Sequence, residues 1–277
     1  MPSFSQRIST LVVDQLANRL AEFLRNRARR LGRSTGIVVP IDDLIGIRIF
    51  STGRFEQTQI DGILGYLDEK GLAGETAFVD VGANIGVYSM ALSSRFSKTY
   101  AFEANPVTFK ILEANVALSR CANTHCFNVA LSDRREESFI YVPENGNLGW
   151  ATLDPDHHDI PVRKIGVVCD TLDALLSADG RVPEEVRLIK IDVEGHELGV
   201  LKGARELIAV ARPALLCEML SRELGAPVYD LLKEYGYRHF SVFERAWSAS
   251  TPFHMHVARR PIDMTQSNRH ALVLAEF

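Results

Sequence analysis

A doubly wound α/β fold with a mostly parallel sheet is predicted by three observations. Short apolar runs alternate with helix-period segments between about residues 77 and 235. The run Phe78–Val81 ends in a turn with two glycines four apart, Gly82 and Gly86, before a helical pattern. A second run, Tyr100–Phe102, ends on the acidic Glu103. In such a sheet a ligand belongs beyond the carboxyl ends of the strands, near the switch point.

Residues 1–35 are expected to form an appendage to a domain over 36–277, with its core at roughly 50–245. Ile8, Leu11, Val12, Leu16, Leu20, Phe23 and Leu24 recur at helical spacing, and Arg25, Arg27, Arg29, Arg30 and Arg33 follow. Cations there suit a helix C-terminus, and Gly32 is a stop. Three readings stand for this helix: it caps the domain or a homodimer partner, it lies on an anionic membrane surface near a lipid-linked substrate, or it is a solvated face.

Ile37–Phe50 reads as a short β-rich lead-in and Thr58–Glu69 as a helix stopped by Lys70-Gly71. Strand one is Ala77–Val81, followed by a helix from Val87 to about Ser94; strand two is Thr99–Phe102. Asn105-Pro106 opens a helix with Phe109, Leu112 and Val116 on its buried side. Strand three is placed near Cys126–Ala130. The middle is irregular, with strands at Phe139–Val142 and Ile165–Cys169 and a loop over Glu144–Trp150. Thr171 caps a helix over Leu172–Leu176. Strand four is Leu188–Val193, a helix follows Gly195, strand five is Ala214–Cys217, and Val228–Tyr235 is helical. Arg238–Phe243 and His270–Phe277 supply strands six and seven, closing like a hairpin around a segment interrupted by Pro252 and Pro261.

Gly82 and Gly86 allow the backbone to approach a ligand closely. A dinucleotide turn wants G-x-G-x-x-G, which is missing, and Asp80 beside a pyrophosphate would be unfavourable. A nicotinamide dehydrogenase is therefore disfavoured. Asp80 suits a cofactor carrying a sulfonium and an ammonium, as S-adenosylmethionine does. Glu103 sits where a carboxylate accepts ribose hydroxyls. Asp80, Gly82, Asn84, Gly86 and Glu103 are the expected cofactor residues, joined by Asn128 and Ser132 near the adenine and by Asp192 near the methionine ammonium.

The segments FVDVGANIGVYS, AFEANPVTFKILEANV, NVALSD, TLDALL, LIKIDVEGHELGVLKGA and RPALLCEM follow one another in order. Their succession resembles the FkbM family of S-adenosylmethionine-dependent methyltransferases, over roughly Phe50 to Met219. Lys190–Glu197 is the most specific segment, and Gly53–Glu56 resembles the stretch that precedes the glycine turn in such proteins. The resemblance implies a class I methyltransferase fold, a Rossmann-like seven-stranded mostly parallel sheet, and O-methylation of a hydroxyl. It favours a sugar in a glycan, glycolipid or glycosylated natural product. A polyketide or other small natural product, or a non-catalytic scaffold of the same fold, are the alternatives.

Methyl transfer to an alcohol needs collinear positioning and a base at the hydroxyl proton. Asp192, Glu194 and His196, at alternate positions after strand four, are the candidate catalytic residues. Glu194, Glu218 at the end of strand five, and Trp150 as a sugar-stacking residue are the candidate acceptor contacts. No metal is expected; Asp192, Glu194 and His196 are chemically able to bind one, but Glu197 points elsewhere on a helix. His157-His158 and His254-Met-His256 read as surface or loop histidines. Lys190, inside strand four, needs a partner, with Asp192 or Glu218 in reach.

The net charge of −4 gives no overall case for a nucleic-acid partner. The four cysteines have no zinc-site spacing, and Cys169 and Cys217 read as buried hydrophobes. Without a membrane-length apolar run or a signal-peptide core, the expected location is the cytoplasm, with the inner membrane face open to the N-terminal helix.

Overall fold

The computed structural model describes residues 37–40, 43–144, 147–157, 159–177, 183–219, 222–247, 255–262 and 271–277. The expected N-terminal helix lies outside them. The chain divides into two compact units, residues 1–55 and 56–277.

In the first unit, the β-rich lead-in is corrected to a helix, α1 (Leu44–Thr52). Ile45, Ile47 and Ile49 alternate as in a strand, but the chain on either side prevails. The Asp43 carboxylate accepts the N–H groups of Ile45 at 2.7 Å and Gly46 at 3.2 Å. Gly46 packs so closely on Pro40 that a Cβ there would lie 1.8 Å from its carbonyl oxygen.

The second unit runs α2 (Gln57–Lys70), β1 (Gly74–Val81), α3 (Val87–Leu92), β2 (Phe96–Phe102), α4 (Pro106–Leu118), β3 (Thr124–Phe127), β4 (Ala130–Leu131), β5 (Glu136–Pro143), β6 (Val162–Asp170), α5 (Leu172–Leu176), β7 (Val186–Ile191), α6 (Glu197–Lys202), α7 (Arg205–Ala211), β8 (Ala214–Met219), α8 (Arg222–Glu234), β9 (His239–Trp247), β10 (Met255–Pro261) and β11 (Ala271–Glu276). Eight strands form one sheet in the order β10-β9-β11-β8-β7-β1-β2-β3. The β3-β2-β1-β7-β8 part is parallel, and β11 runs antiparallel to both β8 and β9. The order reverses at β1, which places the switch point between β1 and β7.

Three expectations are corrected here. The segment carrying Pro261 is itself a strand, β10, paired antiparallel with β9, with the proline at its end. Strand three breaks at Asn128, and Ala130–Leu131 joins a separate three-stranded sheet, β4-β6-β5. The helix after Gly195 is two short helices, α6 and α7, parted at Gly203, where a Cβ would lie 2.0 Å from the Ser132 carbonyl oxygen.

The period of two divides the core between the two faces of the large sheet. Val79, Ile189, Ile191, Leu215 and Cys217 pack with Val200, Leu201, Leu207, Val228 and Leu232 from α6, α7 and α8. Phe78, Leu188, Leu216 and Leu274 pack with Ile60, Ile63, Leu67, Tyr88 and Leu92 from α2 and α3. Each such side chain contributes about 1.5–3 kcal/mol by leaving water. Among the described residues no helix is long and apolar enough to cross a membrane.

Candidate active site

The same alternation continues into polar residues at the carboxyl ends of the strands. Asp80 follows Phe78 on one face of β1, and Lys190 follows Leu188 on β7. The register pairs Asp80 with Lys190, and Lys190 with Leu216. Two residues further along, Asp192 and Glu218 continue the same face.

Asp80 is fully enclosed. Its Oδ2 accepts the Ser89 hydroxyl at 2.6 Å, and its Oδ1 lies 3.7 Å from Lys190 Nζ. The sequence reading has this carboxylate meet the ligand directly; in the structure no face of it is exposed, and its contacts are with Ser89 and Lys190. Burial raises its pKa, against the Lys190 charge and the Ser89 hydrogen bond, which lower it. Lys190 Nζ lies 2.9 Å from Asp192 Oδ2 and 4.8 Å from the Tyr88 ring centroid. Burial works to discharge the lysine, but Asp192 and Asp80 overcome it and hold the ammonium charged. Tyr88 donates its hydroxyl to Glu56 Oε2 at 2.7 Å.

At the glycine turn the structure shows close approaches within the chain itself. Gly82 has φ +73°, and a Cβ there would lie 1.8 Å from the Asp192 carbonyl oxygen. At Gly86 a Cβ would lie 2.8 Å from the Leu112 side chain. Both glycines admit the chain's own atoms, and Gly82 joins the turn after β1 to the segment after β7. Between them Asn84 adopts φ +52° and accepts the Ile85 N–H at 2.7 Å. Glu103, at the tip of β2, accepts the N–H of Asn84 at 2.9 Å on one oxygen and that of Asn105 at 2.8 Å on the other. Burial pushes its carboxyl up to about 7, although both N–H groups pull it down.

Asn128 donates its amide to the carbonyls of Glu103 at 2.8 Å and Ala104 at 3.1 Å, so its NH2 group braces the turn after β2. Ser132 Oγ lies 2.9 Å from His196 Nε2. His196 thus meets Ser132 near the β4 end and does not join the carboxylates of Asp192 and Glu194 in one cluster. Burial lowers its pKa, so it is neutral at neutral pH. Gly199 makes room for its ring, since a Cβ there would lie 2.4 Å from Nε2.

The residue that does join Asp192 and Glu194 is Glu218. One carboxylate oxygen from each lies within 4.8 Å of the other two. Burial first, then the Asp192 and Glu194 charges, push Glu218 up to about 11, so it carries a proton at neutral pH. Burial and the Asp192 charge push Glu194 up to about 8. Such a spacing is also one that a divalent cation can bridge.

Glu194 and Gly195 have φ +52° and +99°. Glu197, expected to point away, folds back on this turn, and its Oε1 accepts the N–H groups of Val193 at 3.2 Å and Gly195 at 3.1 Å. The Glu194 carbonyl accepts the Thr152 hydroxyl at 2.7 Å. His157 Nε2 lies 3.9 Å from Glu194 Oε2, so this histidine faces the carboxylate group; His158 and His254 lie outside the described residues. Trp150, in a 3-10 turn over Leu148–Trp150, is 45% exposed.

A model of the Methyltransferase FkbM domain matches residues 80–239, more than half of the chain. The chain belongs to the FkbM methyltransferase family. The matched span includes the glycine turn, Glu103 and all three clustered carboxylates. The chain is 31% identical to Methyltransferase sdnD of Sordaria araneosa over 169 residues, 50% of this chain and 64% of that protein. It is 31% identical to Hexuronic acid methyltransferase AglP of Haloferax volcanii over 134 residues, 45% of this chain and 48% of that protein. The chain thus covers less than two thirds of the length of either relative. Among solved structures, Methyltransferase FkbM from Methylobacillus flagellatus is similar with a TM-score of 0.44 and 16% identity, over 73% of this chain and 44% of that one.

Proposed function

We propose that this FkbM-family chain is an S-adenosylmethionine-dependent O-methyltransferase acting on a sugar hydroxyl of a glycan, glycolipid or glycosylated natural product. One observation carries the reading: the Gly82 turn rests on the backbone of Asp192, which sets a cofactor turn directly beside three converging carboxylates. The cofactor supplies an electrophilic methyl group on a sulfonium.

The residues present fit that cofactor. Each Glu103 oxygen accepts one N–H and keeps a lone pair, which suits the two hydroxyls of a ribose. Gly82, Asn84 and Gly86 shape the turn, and Asp80 holds it from behind through Ser89 and Lys190. Asn128 and Ser132 border the adenine side. Asp192 faces the methionine end, with its charge shared by Lys190.

On the acceptor side Glu194 accepts the hydroxyl proton. Its pKa near 8 matches an alcohol better than an ordinary carboxylate would. Protonated Glu218 donates to Asp192 and orients the acceptor. Trp150 offers an exposed ring for a sugar face. AglP, by its name a hexuronic acid methyltransferase, supports a sugar as acceptor. His196, held by Ser132, positions the turn and takes no part at the hydroxyl.

The test is a screen of methyl glycosides of neutral hexoses, 6-deoxyhexoses and hexuronic acids with methyl-labelled cofactor, together with calorimetric titration of S-adenosylhomocysteine. No heat in the titration would end the cofactor reading; heat without transfer to any glycoside would end the sugar reading. Glu103→Gln is expected to weaken S-adenosylhomocysteine binding about tenfold or more with the melting temperature kept, because one strong acceptor becomes a donor.

The spacing of Asp192, Glu194 and Glu218 favours a second reading, in which they hold a divalent cation. Chelator dialysis separates the two. The first predicts unchanged turnover, and the second a loss that magnesium restores.

A further inference from the structure

We propose that Thr152 is a positioning residue for Glu194, through which the small β4-β6-β5 sheet sets the geometry of the acceptor side. This rests on the role given to Glu194 in the proposed function.

A residue with a Cβ disfavours the left-handed conformation, and glutamate has no local hydrogen bond to relieve it as asparagine does. Glu194 nevertheless has φ +52°. Its peptide neighbours are fixed from one side by Glu197, which accepts the N–H groups of Val193 and Gly195. From the other side the Thr152 hydroxyl donates to the Glu194 carbonyl at 2.7 Å.

Thr152 is itself rigidly held. It is 1% exposed and its hydroxyl accepts the Asp154 N–H at 3.1 Å. Its backbone forms a two-way bridge with Tyr141 of β5, with N–H to oxygen distances of 2.8 and 3.2 Å. A line of hydrogen bonds therefore runs from β5 through Thr152 to the turn that aims Glu194. Trp150, two residues earlier, and His157, five later, belong to the same segment. The part of the chain that would meet the acceptor is thus tied to the carboxylate that would take its proton. None of the hydrogen bonds in this tie goes to Glu103 or to the Gly82 turn, so cofactor binding is expected to hold when it is cut.

The experiment uses the full chain with Thr152→Val, which keeps the shape and removes the hydroxyl, and Thr152→Ser, which keeps the hydroxyl. Crystal structures report the Glu194 φ, calorimetry reports S-adenosylhomocysteine binding, and turnover is measured on the glycoside of the panel that reacts fastest. The valine protein is expected to lose the left-handed Glu194 and about 10- to 100-fold in kcat, the cost of roughly an ångström of misplacement. Cofactor binding should be unchanged, and the serine protein should recover both losses. A valine protein that keeps either the left-handed Glu194 or the parent kcat overturns the proposal, as does a serine protein as impaired as the valine one. Should the valine protein not fold, Thr152→Ala compared with Thr152→Ser decides by the same criteria. If the parent chain methylates no glycoside, the proposed function fails, and the Glu194 φ in the variants alone decides the role of Thr152.

Discussion

Replacing Lys190 with methionine is expected to destabilise the protein by about 3–5 kcal/mol, the cost of leaving buried charge without its partner. For a domain of this size that is a fall in melting temperature on the order of 10 °C. Methionine fills a similar volume, so packing changes little. What is lost is the only cation within ion-pair distance of Asp80 among the described residues, 3.7 Å away, and the closest one to Asp192, at 2.9 Å. Asp80 is completely enclosed and cannot turn to water. Its remaining recourse is to take up a proton, which burial already encourages. The deficit should therefore shrink as the pH is lowered and Asp80 protonates. Combining the change with Asp80→Asn should recover part of the loss. Thermal melts of the three proteins at neutral and acidic pH check this; a Lys190→Met protein melting with the parent would show that the buried group carries no stabilising charge.

The second large effect concerns turnover. Glu194→Gln should lower kcat by about 10²–10⁴-fold, the usual contribution of a general base, with S-adenosylhomocysteine binding intact. In the parent chain the rate should fall as the pH drops below about 8, because burial and the Asp192 charge keep Glu194 protonated there and a protonated carboxyl cannot accept a proton. Asp192→Asn removes one of those causes and should move this limb to lower pH. Stability should run the other way. A Glu194 whose folded-state pKa lies near 8, against 4.5 for the ordinary group, costs the fold increasing stability as pH rises through that interval. Glu194→Gln should accordingly melt higher than the parent at neutral pH while turning over far less. A variant with both parent turnover and parent melting behaviour would remove Glu194 from the site.

Much of the fold was legible because period-two and period-3.6 patterns are local. Thr171 capping α5, Pro106 opening α4, and the acidic residues Asp80 and Glu103 at the tips of β1 and β2 all follow from a few neighbouring residues. The lead-in at Ile45, Ile47 and Ile49 misled because alternation is ambiguous over so short a stretch, and the Asp43 cap outweighed it. At the site, Asp192, Glu194 and Glu218 were named, but their company was not. Spacing along the chain suggested His196 as the third member. The register of β7 with β8 and the left-handed turn at Glu194 supplied Glu218 instead. The glycines were legible from their spacing, whereas their close approach to Asp192 and Leu112 on other elements was not. Ser89 and Thr152 carry no sequence signal of their own, because each acts through one hydroxyl whose partner lies on another element. Lys190 did carry one: a lysine within a buried strand demands countercharge, and both of its carboxylates lie on its own face of the sheet.

The contact of Gly82 with the Asp192 carbonyl makes two neighbouring turns share one seam. A methyl group at position 82 would wedge them apart together, so that under the proposed function the donor turn and the Glu194 segment would shift by the same push. A substitution at position 82 should accordingly weaken S-adenosylhomocysteine binding and turnover together. The 147–157 segment is hydrogen-bonded to the Glu194 turn and not to Gly82, so under the proposed function changes there should affect acceptor choice before donor binding.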